Sequence, residues 1–263
     1  MKMFSLWDFK MFGCLGEGRY GSVYNAYEKT TKTKVAIKKL SIEKLFEDSF
    51  LQVKTEIEIQ SRIIHPNIVR LYAYFFDENY LYIVLEHALG VNLRVFLKSK
   101  ISLNEYDTRS IIKQLVSAVK KLRELNIIHR DIKLENIIYY KGKIKLCDFG
   151  CSCLHLFQRR KSFCGTAYYL SPELASEKPD YSFGVDVWAI GVVMYELLFG
   201  KPPFIGNTQE EIIKSIKNDP LPIPPNKILS TEAQDLLNRM IEKDEEKRIN
   251  IFDSFNHLWL QNI

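Results

Sequence analysis

The segment HRDIKLEN, from His129 to Asn136, concentrates acidic, basic and amide side chains directly after a helical pattern. Asp131 could accept a proton from a hydroxyl group, and Lys133 could stabilise charge on a transferring phosphoryl group. The amide oxygen of Asn136 could bind a hard cation. KIKLCDFG then places Asp148 directly after a predicted strand. A polar loop whose charges pair with one another is the alternative interpretation, but the order of the two motifs favours chemistry.

A glycine-rich loop lies near the start of the chain, in the pattern G-x-G-x-x-G-x-V from Gly16 to Val23. Glycine lets the backbone bend close to a phosphate, so that amide groups can face the anion. A dinucleotide-binding fold would need a helix directly after the loop, whereas SVYNAYEK continues as a strand. The loop therefore predicts a phosphate-binding hairpin, with a simple glycine-rich turn as the alternative.

Lys38 ends the stretch VAIK and interrupts an apolar run on the next predicted strand. It could snorkel from an edge strand, or pair with a carboxylate on a neighbouring helix while it holds phosphate oxygens. The predicted helix 48–64 offers Glu56 and Glu58. Glu58 lies about 200° around the helix axis from Glu56, and Glu56 lies beside the apolar stripe. We therefore expect Glu56 to be the partner. The stripe consists of Phe50, Val53, Ile57 and Ile64.

The composition predicts a soluble intracellular protein with a large core. The 263 residues are 46% hydrophobic and 13% aromatic, which is ample for such a core. The net charge of +5 is scattered and supports no nucleic-acid role by itself. The longest apolar-rich run, 185–199, contains two carboxylates and is too short to span a bilayer. The five cysteines form no Cys-x-x-Cys pair, which argues against a zinc site.

The order of elements predicts an α+β protein with two lobes. Strand patterns dominate the first third, and helical spacing dominates after Gly90. We place a β-rich lobe at 9–85, a hinge at 86–90 and a mainly helical lobe at 91–260. The later helices are expected near 105–125, 183–199, 209–218, 231–242 and 250–258.

These motifs occur in the order typical of eukaryotic protein kinases: glycine loop, strand lysine, H-R-D-x-x-x-x-N, D-F-G and a final P-E at Glu173. The chain resembles that family from about Phe9 to Trp259, which gives one kinase domain, 9–260. DVWAIGVVMYELLFGKPPF, 186–204, and Arg248 also match the family's helical lobe. KTEIEIQSRIIHPNIVRLYAYFFDENYLYIVLE and RRKSFCGTAYYLSPE are most similar to the Aurora branch of serine/threonine kinases.

The resemblance implies a bilobal kinase fold that binds ATP and Mg²⁺. Lys38, held by Glu56, would contact the α- and β-phosphates, and the adenine edge would meet the hinge backbone after the gatekeeper Leu85. Asn136 and Asp148 would bind two Mg²⁺ ions. The expected nucleotide-binding residues are Leu15, Gly16, Glu17, Gly18, Arg19, Tyr20, Gly21, Ser22, Val23, Ala36, Lys38, Glu86, Ala88 and Ile138.

The resemblance also implies how a protein substrate is handled. Asp131 would orient and deprotonate the acceptor hydroxyl, and Lys133 and Thr166 would favour serine or threonine over tyrosine. Glu135 and Glu196 lie where relatives that prefer basic substrates hold an arginine two residues before the acceptor. The expected substrates are therefore serine or threonine residues with arginine upstream.

The stretch RRKSFCGTAYYLSPE would be the activation segment. Arg159 and Arg160 precede Ser162 in the arrangement expected of a substrate, so another copy of the enzyme could phosphorylate this serine. The phosphate would then pair with Arg130 and order the segment. Thr166 is interpreted as a substrate-site residue rather than a phosphosite.

Leu134 stands where most serine/threonine kinases have proline, Cys151 where Auroras usually have tryptophan, and Ser171 where alanine or proline is usual. None of these departures removes a catalytic group. Alternatives are another branch of kinases that prefer basic substrates, a pseudokinase scaffold, or a nucleic-acid-binding role. Aurora resemblance implies mitotic chromosome segregation and spindle checkpoint control, and an inner-centromere-protein-type activating scaffold. It also implies a monomeric catalytic domain in nucleus and cytoplasm, at kinetochore or spindle, without direct nucleic-acid or membrane partners.

Overall fold

The structure is a computed structural model that describes residues 4–18, 21–45, 47–154, 167–176, 182–225 and 227–261. It divides into two compact units, Met1–Leu89 and Gly90–Ile263. The first unit contains a five-stranded antiparallel sheet and the second is mainly helical. The predicted α+β class is thereby confirmed, while the residue limits predicted for the lobes and hinge stay predictions.

The first unit is built on one sheet with the strand order β1-β2-β3-β5-β4. A short 3-10 turn at Leu6–Asp8 precedes it, and one helix, α1, Glu47–Ser61, follows the third strand. The β4–β5 turn is closed by Asp77, whose carboxylate accepts the backbone N–H groups of Asn79 and Tyr80 at 2.9 and 2.8 Å. The strands are β1 Phe9–Gly18, β2 Gly21–Glu28, β3 Lys34–Ser41, β4 Leu71–Phe76 and β5 Tyr80–Glu86.

The strand register decides which side chains share a face. Val23 lies opposite Lys38, and Ala36 lies opposite both Asn25 and Leu85. Because side chains alternate along a strand, Val23, Ala36 and Lys38 lie on one face of the sheet. Helix α1 packs on this face through Val53 and Ile57. The contact forms a core with Leu40, Leu71, Leu81 and Ile83.

Helix α1 differs from its prediction at both ends of the apolar stripe. It ends at Ser61 rather than at position 64. Phe50 is 53% exposed and Ile64, beyond the helix, is 65% exposed. The buried surface instead combines Val53 and Ile57 with polar side chains, because Glu56 and Gln60 find partners inside the unit. The prediction failed because apolar spacing alone does not show which side of a helix meets the core: Ile59, which lies off the predicted stripe, is buried.

The second unit surrounds the central helix α5, Gly184–Phe199, in which every residue from Val185 to Leu198 is buried. Helix α3, Glu105–Glu124, packs on it and begins where the Asn104 side chain accepts the Asp107 N–H. The other helices are α2 Leu93–Lys98, α4 Pro172–Ala175, α6 Gln209–Asn218, α7 Thr231–Met240, α8 Ile251–Asn256 and α9 Leu258–Gln261. Short strands are β6 Val91–Asn92, β7 Ile127–Ile128, β8 Ile137–Tyr140, β9 Lys143–Leu146 and β10 Cys153–Leu154.

The predicted helices of this unit are confirmed within about two residues, with one exception. The segment 250–258 is not one helix, because His257 adopts an extended conformation that separates α8 from α9. Within the part of the chain that the structure describes, no helix has the length and apolarity needed to cross a bilayer.

Candidate active site

Lys38 and Glu56 form an ion pair in the first unit. The Nζ atom of Lys38 lies 2.7 Å from Oε1 and 3.0 Å from Oε2 of Glu56. The pair forms because Lys38 faces helix α1 and Glu56 lies on the buried side of that helix. Glu58, the other carboxylate considered from the sequence, is exposed. The lysine is therefore held in a fixed position, as binding of a phosphate would require.

The glycine loop joins β1 to β2, and its glycines differ in their surroundings. A Cβ atom added at Gly16 would meet nothing within 4 Å, so open space lies beside this backbone. A Cβ at Gly21 would lie 1.8 Å from the Lys39 carbonyl oxygen, so glycine is needed there for close approach of β3. Among the residues predicted to bind the nucleotide, Leu15 and Glu17 are exposed on β1. Arg19 and Tyr20 lie outside the described residues. Gly18 ends β1, and Ser22 is the second residue of β2, directly after Gly21.

The segment after β5 is tied to the second strand of the sheet. The ring nitrogen Nε2 of His87 lies 2.7 Å from Oδ1 of Asn25. The preceding residue, Glu86, donates its N–H to the Arg70 carbonyl at 2.8 Å. Burial, and next the nearby Lys34, lowers the pKa of His87. Sequence reasoning missed the His87–Asn25 contact, because the two residues are 62 positions apart and belong to no motif. Ala88 follows His87 and is partly buried.

The segment HRDIKLEN of the second unit is held by Asp186, in the first turn of α5. Its two carboxylate oxygens accept the backbone N–H groups of His129 and Arg130 at 2.8 and 2.9 Å. These bonds hold Arg130 in the left-handed region, with φ of 65°, which is uncommon for a residue other than glycine. The His129 ring packs edge-on against Phe149, with ring centroids 4.8 Å apart. Burial lowers the pKa of the His129 imidazole.

Asp131 is buried and directly contacts the two other polar residues of the HRDIKLEN motif. Lys133 Nζ lies 2.9 Å from Asp131 Oδ2, and the Asn136 amide nitrogen donates to the same oxygen at 2.8 Å. Burial raises the pKa of Asp131, and its contacts with Lys133 and Asn136 act in the opposite direction. The structure thus brings together a carboxylate, an ammonium and an amide, the groups expected to manage proton and charge at a transferred phosphoryl group.

Asn136 and Asp148 have the donor atoms that a hard divalent cation prefers. The Asn136 amide group also donates to the Asp131 carbonyl oxygen at 2.9 Å, which orients its own Oδ1 as an acceptor. Asp148 is exposed, has φ of 65°, and its Oδ1 accepts the Gly150 N–H at 3.3 Å. Among the described residues no group of three or more His, Cys, Asp or Glu side chains could hold a metal ion. The amide oxygen of Asn136 and the carboxylate of Asp148 are oxygen donors of the kind that hard divalent cations bind.

Glu135 and Glu196, the two carboxylates predicted to hold a substrate arginine, are bound to Arg94 of this chain. Arg94 Nε donates to Glu135 Oε1 at 2.8 Å, and both terminal nitrogens donate to Glu196. One of them also donates to the Tyr169 hydroxyl at 2.9 Å. That hydroxyl donates to Glu196 Oε2 at 2.5 Å. The sequence predicted the acidic pair but not its occupant.

The segment that follows D-F-G is anchored at both described ends. Strand β10 pairs with β7, which directly precedes His129, and the Arg130 guanidinium Nε donates to the Cys151 carbonyl at 2.6 Å. At the other end, Glu173 binds Arg248 through two hydrogen bonds of 2.6 and 3.0 Å. Ile138, expected near the adenine, lies on β8. The predicted residues Ser162 and Thr166, with Arg159 and Arg160, lie outside the described residues.

Comparison with known proteins gives a matching family and close relatives. The family described as "Protein kinase domain" matches residues 9–260. The chain is 37% identical to the serine/threonine-protein kinase Aurora-2 of Arabidopsis thaliana, over 96% of this chain and 90% of that protein. It is 38% identical to Aurora kinase C of Mus musculus, over 99% of this chain and 94% of that protein. An Aurora kinase of Yarrowia lipolytica is 38% identical over 98% of this chain and 69% of that protein.

These matches confirm the Aurora resemblance inferred from the motifs, and they cover nearly the whole chain. The chain therefore belongs to the protein-kinase family, as an Aurora-like, ATP-dependent serine/threonine protein kinase.

Proposed function

We propose that this kinase transfers the γ-phosphoryl group of Mg²⁺-bound ATP to serine or threonine residues preceded by arginine, in an Aurora-like mitotic role. ATP, a divalent metal ion and protein substrates follow from the family itself. The observation that carries the proposal is the contact of Lys133 and Asn136 with the buried carboxylate of Asp131.

Asp131 is proposed as the group that accepts the proton of the acceptor hydroxyl. The Asn136 amide nitrogen and the Lys133 ammonium both contact its Oδ2 atom. The ammonium offsets negative charge beside the reacting group without moving, since it is already in contact before substrate arrives. A fixed base and a fixed cation are what an in-line transfer needs, because positioning supplies most of the acceleration.

Asn136 and Asp148 are the proposed Mg²⁺ ligands. A metal ion held by these residues would offset the negative charge that develops on the phosphates during transfer. Asn136 would contribute its amide oxygen, because its amide nitrogen is committed to Asp131. Asp148 would contribute a carboxylate oxygen from an exposed position. The donor set supports Mg²⁺ over zinc, because both ligands are hard oxygen atoms.

The nucleotide is proposed to contact Lys38 and the open backbone beside Gly16. Lys38 is held by Glu56, so its ammonium can bind phosphate oxygens without first losing conformational freedom. Val23 and Ala36 lie on the same face of the sheet as Lys38, and Ala36 pairs with the proposed gatekeeper Leu85. This shared face supports the assignment of the adenine-binding surface in the first unit.

A preference for upstream arginine is supported by the negative charge of Glu135 and Glu196. Arginine pairs with carboxylates through charge-assisted and often bidentate hydrogen bonds. The three charged groups Arg94, Glu135 and Glu196 together carry one net negative charge, so the cluster still attracts a cation. Lys133 and, outside the described residues, Thr166 are proposed to favour a short serine or threonine side chain.

A mitotic role and an activating scaffold are proposed from the Aurora relatives. The scaffold would bind the first unit, where three aromatic side chains of the edge strand β4 are exposed: Tyr72, Tyr74 and Phe76. Exposed apolar groups on an edge strand favour a protein contact. A location in nucleus and cytoplasm, at the kinetochore or spindle, and a monomeric catalytic domain belong to the same proposal.

The test is transfer of phosphate from Mg²⁺·ATP to a histone tail or to a serine peptide with an upstream arginine. We expect transfer by the natural chain and none by Asp148→Ala, which removes a proposed metal ligand. Asp253→Asn, a change of the same charge at an exposed position of α8, serves as the control and should retain activity. Absence of transfer by the natural chain, or transfer by Asp148→Ala, would contradict the proposal.

A further inference from the structure

Arg94 lies where a substrate arginine would be received, and its contacts bring together four separate elements of the second unit. Arg94 is on α2, Glu135 on the 3-10 turn Leu134–Asn136, Tyr169 on the 3-10 turn Ala167–Tyr169, and Glu196 on α5. The guanidinium uses Nε for Glu135 and both terminal nitrogens for Glu196. An arginine of the chain itself thus makes the contacts proposed for the arginine of a substrate.

The two carboxylates differ sharply in their access to solvent. The side chain of Glu196 is 1% exposed and that of Glu135 is 41% exposed, while Arg94 itself is 27% exposed. Both oxygens of Glu196 already accept hydrogen bonds, from Arg94 and from the Tyr169 hydroxyl. A peptide that approaches from solvent can therefore reach Glu135, whereas it can reach Glu196 only if Arg94 moves away.

The charge of the cluster points to the same conclusion. One guanidinium between two carboxylates leaves a single net negative charge, so the attraction for an incoming cation is about half that of two unpaired carboxylates. In addition, Oε1 of Glu135 already accepts from Arg94 Nε. A substrate guanidinium must share that oxygen or use the other one, and it forms fewer charge-assisted hydrogen bonds than an unoccupied pair would offer.

We propose that Arg94 is a specificity-determining residue that competes with the substrate's arginine for Glu135 and Glu196, and so limits the preference of this kinase for arginine-containing substrates. The proposal rests on the arginine site of the proposed function. Arg94 acts through the two carboxylates and is not assigned any contact with the acceptor hydroxyl. We therefore expect removal of Arg94 to strengthen the selection of substrates with arginine, whereas loss of a residue that supports the site would weaken it.

The experiment compares two serine peptides that differ only in arginine or citrulline two residues before the serine. Citrulline keeps the shape of arginine and removes its charge, so the ratio of the two kcat/KM values measures arginine selection alone. We expect this ratio to rise about tenfold in Arg94→Gln, equivalent to about 1.4 kcal/mol. In Arg94→Lys this ratio should lie closer to the ratio of the natural chain, because the lysine ammonium retains the competing positive charge. Arg239→Gln, on α7, is the control, because it changes the net charge equally at a distant, exposed ion pair.

Failure of this proposal is distinguishable from failure of the proposed function. If the natural chain phosphorylates both peptides and Arg94→Gln leaves the ratio unchanged or lowers it, the competitive role of Arg94 is wrong while the kinase function stands. If the natural chain phosphorylates neither peptide, the proposed function fails and the inference fails with it.

A second measurement does not depend on the folding of an Arg94 variant. With Arg94 in place only Glu135 is accessible, so Glu135→Gln should bring the arginine-to-citrulline ratio close to one. If Glu135→Gln retains most of the arginine preference, Glu196 is reachable beside Arg94 and the proposal is overturned. Where Arg94→Gln folds, the double variant Arg94→Gln/Glu135→Gln completes a mutant cycle. In this double variant Arg94 no longer covers Glu196, so Glu196 should restore part of the arginine preference that Glu135→Gln alone removes.

Discussion

The ammonium of Lys38 contacts both carboxylate oxygens of Glu56, at 2.7 and 3.0 Å, across 18 positions of sequence. Glu56 is almost fully buried, whereas Lys38 keeps 24% of its side chain exposed. The glutamate is thus committed to the pair, while part of the lysine remains accessible to an anion. The position of helix α1 therefore decides where the Lys38 ammonium is held.

Removal of the Glu56 charge should misplace Lys38 without changing the fold. We expect Glu56→Gln to lower kcat/KM for ATP by about 100-fold, the effect of displacing a catalytic contact by roughly 1 Å. Steady-state kinetics with varied ATP measures it. Glu58→Gln, two residues away on the exposed side of α1, should change kcat/KM little. Equal effects of the two substitutions would show that the ion pair has no special role.

The buried pair of Arg248 and Glu173 should matter for stability rather than for chemistry. Both side chains are nearly inaccessible, at 1% and 2% exposure, and Arg248 also donates to the Glu242 and Gly184 carbonyls. Glu173→Gln leaves a buried guanidinium without its counter-ion, which typically costs about 3–5 kcal/mol. Urea unfolding should detect this as a lower transition midpoint.

The neighbouring residue provides the comparison for that stability experiment. Lys247 pairs with Asp244 at 3.1 Å, but its side chain is 76% exposed. Exposed pairs of this kind contribute at most about 1 kcal/mol, so Lys247→Ala should unfold at nearly the midpoint of the natural chain. If Glu173→Gln and Lys247→Ala unfold at the same midpoint, burial does not determine how much the Arg248–Glu173 pair contributes to the free energy of unfolding.

The sequence predicts those parts of the site that depend on local motifs. The strand register that turns Lys38 toward α1 follows from alternation, and the choice of Glu56 over Glu58 follows from helix geometry. The compactness of HRDIKLEN makes contacts among Asp131, Lys133 and Asn136 expected. In each case the interacting groups lie on one element or on two elements with a clear periodic pattern.

The sequence could not predict contacts that depend on tertiary packing. Arg94 lies 41 positions from Glu135 and 102 from Glu196, and it belongs to no motif. Asp186 is part of the recognised stretch 186–204, but no pattern showed that its carboxylate binds the backbone of His129 and Arg130. Apolar spacing predicts that Phe50 and Ile64 are buried, yet both are exposed. Apolar spacing alone does not reveal where a helix meets its core.

Phosphorylation of Ser162 should activate the enzyme through Arg130. The serine lies outside the described residues, but Arg130 is held at its backbone by Asp186 and by its side chain at the Cys151 carbonyl. A phosphoserine carries about −1.5 to −2 charges and can bind such an arginine. We expect Ser162→Ala to have the activity of phosphatase-treated natural enzyme, measured with the arginine peptide. Natural-like activity of Ser162→Ala, or a further fall on phosphatase treatment, would argue against this serine as the switch.

The acid side of the pH profile should report the contact between Lys133 and Asp131. Asp131 must be ionised to accept a proton, and burial raises its pKa while the Lys133 ammonium, 2.9 Å away, lowers it. Removal of that cation in Lys133→Gln should raise the pKa of Asp131 further, so kcat/KM for the peptide should begin to fall at a higher pH than in the natural chain. Lys133→Arg keeps the positive charge and should leave the midpoint of this fall nearly in place, even if its activity is lower. An unchanged midpoint in Lys133→Gln would mean that the group titrating on the acid side is not Asp131.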